Sequence, residues 1–125
     1  MSYKNESILK PICFRYNPKD KKMDKREIIN IVKRFAVKVT EKYDCVGIIL
    51  FGSYVKGTNH IDSDIDIAVI LKDYDNLMNI QLELMRLRRK IDSRIEPHPI
   101  RESDFNENNP LVNEIKKYGK VINVA

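Results

Sequence analysis

A chain of 125 residues, 42% hydrophobic and 33% charged, has the length of one domain and the composition of a water-soluble globular fold. No apolar run is long enough to cross a bilayer. Residues 1–6 lack the apolar core of a secretory signal, so the expected location is the cytoplasm. A net charge of +5 and a pI near 9.2 suit polyanionic company such as a nucleotide, RNA or an acidic protein face. The basic residues are scattered, however, apart from clusters at 19–22 and 86–90, and neither cluster carries the interleaved aromatics of a single-strand binding platform. Cys13 and Cys45 form no CxxC pair and read as reduced, structural thiols.

In chain order, residues 1–23 show no clean periodicity, contain Pro11 and Pro18, and read as an N-terminal extension preceding a domain at 24–125. Asp24 and Glu27 make a capping-box pattern, and Ile28, Ile31, Val32, Phe35 and Val39 then recur at helical spacing, predicting an amphipathic helix to about Lys42. Residues 45–51 are a short continuous apolar run, predicting a buried strand that Gly52 breaks. Residues 64–71 alternate and then become fully apolar, a second strand. Leu77, Ile80, Leu84, Leu87 and Ile91 predict a helix over 75–91, whose basic end at Arg88, Arg89 and Lys90 suits the negative pole of the helix dipole. Residues 94–100 predict a third strand, confined by Pro97 and Pro99 to an edge or a strand end. Asn109-Pro110 opens a last helix that Gly119 stops, and Val121-Ile122 adds a short final strand. The order predicts an α+β fold, a small mixed sheet flanked by helices.

The chemistry concentrates in two segments. In a strand, Asp64 and Asp66 project to one side, and two adjacent carboxylates repel unless one is protonated or a cation sits between them. A hard divalent cation such as magnesium takes carboxylate oxygens and keeps positions open for phosphate and water. A lone DxD is more often a solvated strand face, but this strand runs on into Ala68, Val69, Ile70 and Leu71, so the two acids sit where a buried strand emerges. Ahead of it, Gly52 lets the backbone turn sharply, and a short helix opened by Ser53 offers a hydroxyl and free N–H groups to phosphate. Lys56 lies one turn on and adds positive charge.

Gly52-Ser53, ten residues, then Asp64-Ile65-Asp66 resembles the signature of the DNA polymerase β-like nucleotidyltransferase superfamily, over about residues 28–122. The resemblance implies the palm of that superfamily and a site in which Gly52 and Ser53 contact the β- and γ-phosphates. In the same way it implies that Asp64 and Asp66 hold two magnesium ions, with in-line attack of a hydroxyl on the α-phosphorus. It further implies a third carboxylate from the next strand. Glu96 is the candidate, in place of the more usual aspartate, with Asp92 as the fallback. Arg94, Glu96 and His98 would share a face of that strand, where His98 reads either as a proton-transfer group or as a histidine satisfied by a neighbouring carboxylate. Lys56 stands where an arginine is often found, which keeps the charge and loses the planar fork.

These residues stop where larger members carry a second, acceptor-binding domain, so the expected subgroup, which the chain resembles, is the minimal nucleotidyltransferases that often act with a HEPN-domain protein in toxin–antitoxin pairs. That subgroup implies an antitoxin that moves AMP from ATP onto a tyrosine of its partner, with no direct nucleic-acid binding required. Two other readings stay open: a non-catalytic antitoxin that binds nucleotide and partner, and transfer to a small molecule such as an antibiotic within a homo-oligomer.

Overall fold

The structure is a computed structural model that describes residues 25–60 and 62–123. The extension at 1–23, Cys13 and the expected cap Asp24 lie outside those residues. Helix α1 spans Lys25–Lys42 and carries its buried residues Ile28, Val32, Phe35, Ala36 and Val39 on one stripe. Strand β1 (Cys45–Phe51) follows, then a four-residue helix α2 (Ser53–Lys56). Next come β2 (Ile65–Leu71), α3 (Leu77–Leu87) with a 3₁₀ turn at Arg88–Lys90, and β3 (Ile95–Arg101). Helix α4 (Pro110–Tyr118) and the two-residue β4 (Lys120–Val121) complete the domain.

The four strands form one mixed sheet in the order β3-β2-β1-β4. β1 is antiparallel to β2 and β4, whereas β2 and β3 are parallel and joined through α3. β3 is therefore an edge strand, the position that two prolines without N–H groups require. The strand period of two divides the core. Ile65, Ile67, Val69 and Leu71 of β2 pack with Ile48, Leu50 and Ile95 against α1 and, from α3, Ile80 and Leu84. On the opposite face Ala68, Phe51 and Ile100 pack against Val112 and Ile115 of α4. Because α4 covers only part of that second face, the ends of β2 and β3 that carry Asp66 and Glu96 remain accessible.

Two expectations shift. The helix expected over 75–91 is shorter, because the Asn76 side chain accepts from the Asn79 N–H at 3.1 Å and fixes the first turn there. Leu77, expected on its buried stripe, is 57% exposed, and the burial of α3 begins at Ile80. Gly119 does end α4, but with an extended backbone: a Cβ would come within 2.3 Å of the Ile115 carbonyl oxygen and 2.6 Å of Ile49.

Candidate active site

Strand register builds the site. Asp66 of β2 pairs with Phe51 of β1 on one side and with Glu96 of β3 on the other. Both carboxylates therefore stand at neighbouring positions on the same face. His98, two residues along β3, shares the face of Glu96, and its Nε2–H donates to Asp66 Oδ1 at 3.1 Å. The ring of Phe51 meets the His98 ring edge-on at 5.0 Å and fixes its tilt. One ligand atom from each of Asp66, Glu96 and His98 lies within 4.8 Å of the others. Burial lifts the Glu96 carboxyl above its usual pKa; Asp66 and Asp64 push it further up, and His98 pulls against them. A cation would relieve that repulsion, so the donor set fits a metal of carboxylate preference.

Gly52 presses on the same group from the other side. Its backbone sits at φ 83°, ψ −152°, a region open essentially to glycine alone. A Cβ there would lie 2.3 Å from Asp66 Oδ2. Asp66 is thus gripped, one oxygen held by His98 and the other lying where any side chain at 52 would have to be. The Val55 and Lys56 N–H groups return to the Gly52 carbonyl at 3.2 and 3.1 Å, which closes α2. No side chain among the described residues caps the start of α2, so its first N–H groups are left without a side-chain acceptor.

The remaining expected residues divide. Ser53 is half-buried at the start of α2, beside Gly52. Asp64 falls one residue before β2, exposed and outside the three-residue cluster, yet near enough to act on Glu96. Lys56 turns to α4, where its Nζ lies 3.6 Å from Glu114 and 5.0 Å from the Tyr118 ring centre. Asp92, the fallback third carboxylate, is bound to Arg94 by two side-chain bonds of 2.9 and 2.6 Å. The joining of His98 to Asp66 depends on the β2–β3 register, which residue spacing along one strand could not supply; the shared face of Glu96 and His98 was the only signal.

The Asp92–Arg94 pair yields a stability prediction. Bonding to Arg94 holds the Asp92 carboxyl below the usual range, against the opposing effect of burial. A lowered folded-state pKa contributes stability above the unfolded pKa and loses it as pH falls through the folded one. Asp92→Asn is expected to lower the unfolding free energy by about 1–2 kcal/mol near neutral pH. The deficit should shrink toward zero in acid, as read by urea unfolding at the two pH values. An equal deficit at both would contradict the pairing.

Comparison with known proteins decides the family. The model of the polymerase β nucleotidyltransferase family matches residues 36–124, the sheet, the Gly52 turn and both acidic strands. The chain belongs to that family. This nucleotidyltransferase is 43% identical over 53 residues to a protein of Methanocaldococcus jannaschii provisionally named a protein adenylyltransferase, MJ1305. The matched stretch is 41% of this chain and 36% of that relative, so the chain spans about a third of the relative's length. A Sulfolobus solfataricus crystal structure, provisionally described as a nucleotidyltransferase, shares the fold with a TM-score of 0.58. The identity is 17%, over 78% of this chain and 80% of that one. A toxin–antitoxin structure with AMP-PNP matches with a TM-score of 0.53 and 25% identity, over 82% of this chain and 75% of that one. A variant of the toxin–antitoxin MntA–HpeT matches with a TM-score of 0.54 and 27% identity, over 83% and 75% of the two chains.

Proposed function

We propose that this nucleotidyltransferase moves AMP from ATP onto a hydroxyl of a partner protein, acting as the antitoxin of a pair whose toxin is a HEPN-domain protein. The observation that carries the reading is the gripped Asp66 beside Glu96, next to a turn whose first N–H groups no described side chain caps. Its support from relatives is the adenylyltransferase name of the archaeal protein and the likeness to toxin–antitoxin structures, one of them with an ATP analogue.

Asp64, Asp66 and Glu96 are the residues that would hold magnesium. When bound, the metal supplies Lewis acidity toward phosphate oxygens and lowers the pKa of an attacking hydroxyl. The chain's own groups provide the positioning. Gly52 leaves room for Asp66 and, with Ser53, offers N–H and hydroxyl donors to the β- and γ-phosphates. His98 holds Asp66 Oδ1 and keeps that carboxylate from rotating. Lys56 would have to leave Glu114 to reach a phosphate, so its charge acts at longer range unless substrate draws it over. The triphosphate and the acceptor hydroxyl are aligned by these groups, which converts a bimolecular attack into one within a single complex.

Glu96→Gln and Asp92→Asn separate the two choices for the third carboxylate. Pyrophosphate release should fall at least about 100-fold in Glu96→Gln, the scale of losing one charge-stabilising group. Asp92→Asn should stay within about threefold of the parent, because its partner is Arg94. The reverse order would assign the third position to Asp92.

A further inference from the structure

Helix α3 is apolar on two sides. Ile80 and Leu84 are buried against the sheet. Met78, Leu82 and Met85, spaced four and three residues apart, form a second stripe, and Leu77 lies at its start. Met78 is 71% exposed and Leu82 49%. Met85 is half-buried at the far end of the stripe, and an exposed apolar surface on a charged domain marks an interaction site. Two hollows flank Leu82. One, of about 600 Å³, is lined by Asn76, Leu77, Met78, Gln81 and Leu82. The other, of about 350 Å³, is bounded by Leu82, Met85, Arg86, Arg88, Arg89 and Ser93.

The charges at the two ends of the stripe say what covers it. Asp75 stands just before α3 and Arg89 in the 3₁₀ turn that continues it. Neither has an ion-pair partner among the described residues. Two copies of α3 laid antiparallel with Leu82 at the centre bring Leu82 against its own symmetry mate. Met78 of each then lies against Met85 of the other, and Asp75 of each comes opposite Arg89 of the other. The stripe is thus complementary to itself in the order of its apolar residues and in the charges at its ends, as a two-fold interface requires.

We propose that this face of α3 is a homodimer interface, in which two copies pair antiparallel across Leu82. The site cluster lies on the other face of the sheet, so pairing leaves both sites open. One helix pair is a small interface, so the dimer forms in a concentration-dependent way.

Sedimentation velocity of the full chain over about a hundredfold range of concentration tests this. The parent protein should pass from monomer to dimer. Leu82→Glu should raise the midpoint concentration at least about tenfold, with an unchanged circular dichroism spectrum. Asp75→Arg and Arg89→Asp should each weaken pairing, and the double exchange should restore it, which a merely local loss of structure would not do. A parent protein that stays monomeric throughout, a dimer indifferent to Leu82→Glu, or a double exchange that fails to restore pairing would each overturn the proposal. A monomeric parent whose Leu82→Glu variant loses a different protein partner would overturn it too, and give the stripe to that partner.

Discussion

Asp66→Asn abolishes nucleotide transfer and leaves the domain folded. Asp66 lies beside Glu96 in register, with His98 bonded to one oxygen and Gly52 packed at the other, so no group touches more of the site. The amide keeps the shape and can still bond to His98, but it removes the negative charge a cation needs. The expected loss in turnover is at least about 1,000-fold, since a preorganised electrostatic group rather than a rim contact is lost. Thermal stability should hold or rise slightly, because the change also removes a like-charge repulsion with Glu96. Parent-level turnover at saturating magnesium and ATP would contradict the role of Asp66; unfolding would show instead that its bonds hold the strands.

Gly52→Ala has the second largest effect, and it combines strain with displacement. The backbone at 52 is one that L side chains rarely adopt, which costs about 1–3 kcal/mol by itself. The new Cβ would also lie 2.3 Å from Asp66 Oδ2, a distance that real Cβ atoms do not keep, so the carboxylate must move. Activity should fall at least about 100-fold, in line with the cost of misplacing a reacting constellation by an ångström. Gly57→Ala is the control. It too has a positive φ, 77°, but nothing lies within 4 Å of its would-be Cβ. That change should cost about 1 kcal/mol of stability and little turnover. Equal losses of turnover in the two variants would show that backbone strain, and not the contact with Asp66, makes Gly52 necessary.

Much of this arrangement is legible in the order of residues. The unbroken apolar run of β1, the helical spacing of Ile28, Val32, Phe35 and Val39, and the prolines that confine β3 to an edge each follow from local physics. So does the placing of Asp66 at the point where a buried strand leaves the core. What stayed hidden depends on pairing between distant segments. His98 meets Asp66 because β2 and β3 are parallel with Asp66 beside Glu96, and no single-strand period carries that register. In sequence Gly52 offers a ligand a place to approach, whereas its missing side chain first makes room for Asp66. In sequence Lys56 points toward phosphate, and Glu114, on a helix more than fifty residues later, turns it toward α4. On α3 the three-four spacing of Leu77 to Ile91 marks one apolar side, and the stripe through Met78, Leu82 and Met85 satisfies the same helical period, so spacing alone does not separate the two.

The most direct test is the intact mass of a protein acceptor after incubation with this chain, magnesium and each nucleoside triphosphate in turn. The acceptor to try first is any helical protein encoded beside it. The account predicts a gain of one or more AMP units with ATP, absent when Asp66→Asn replaces the parent. An acceptor whose mass never changes, although it binds the parent chain tightly, would contradict catalysis and leave an antitoxin that acts by contact alone.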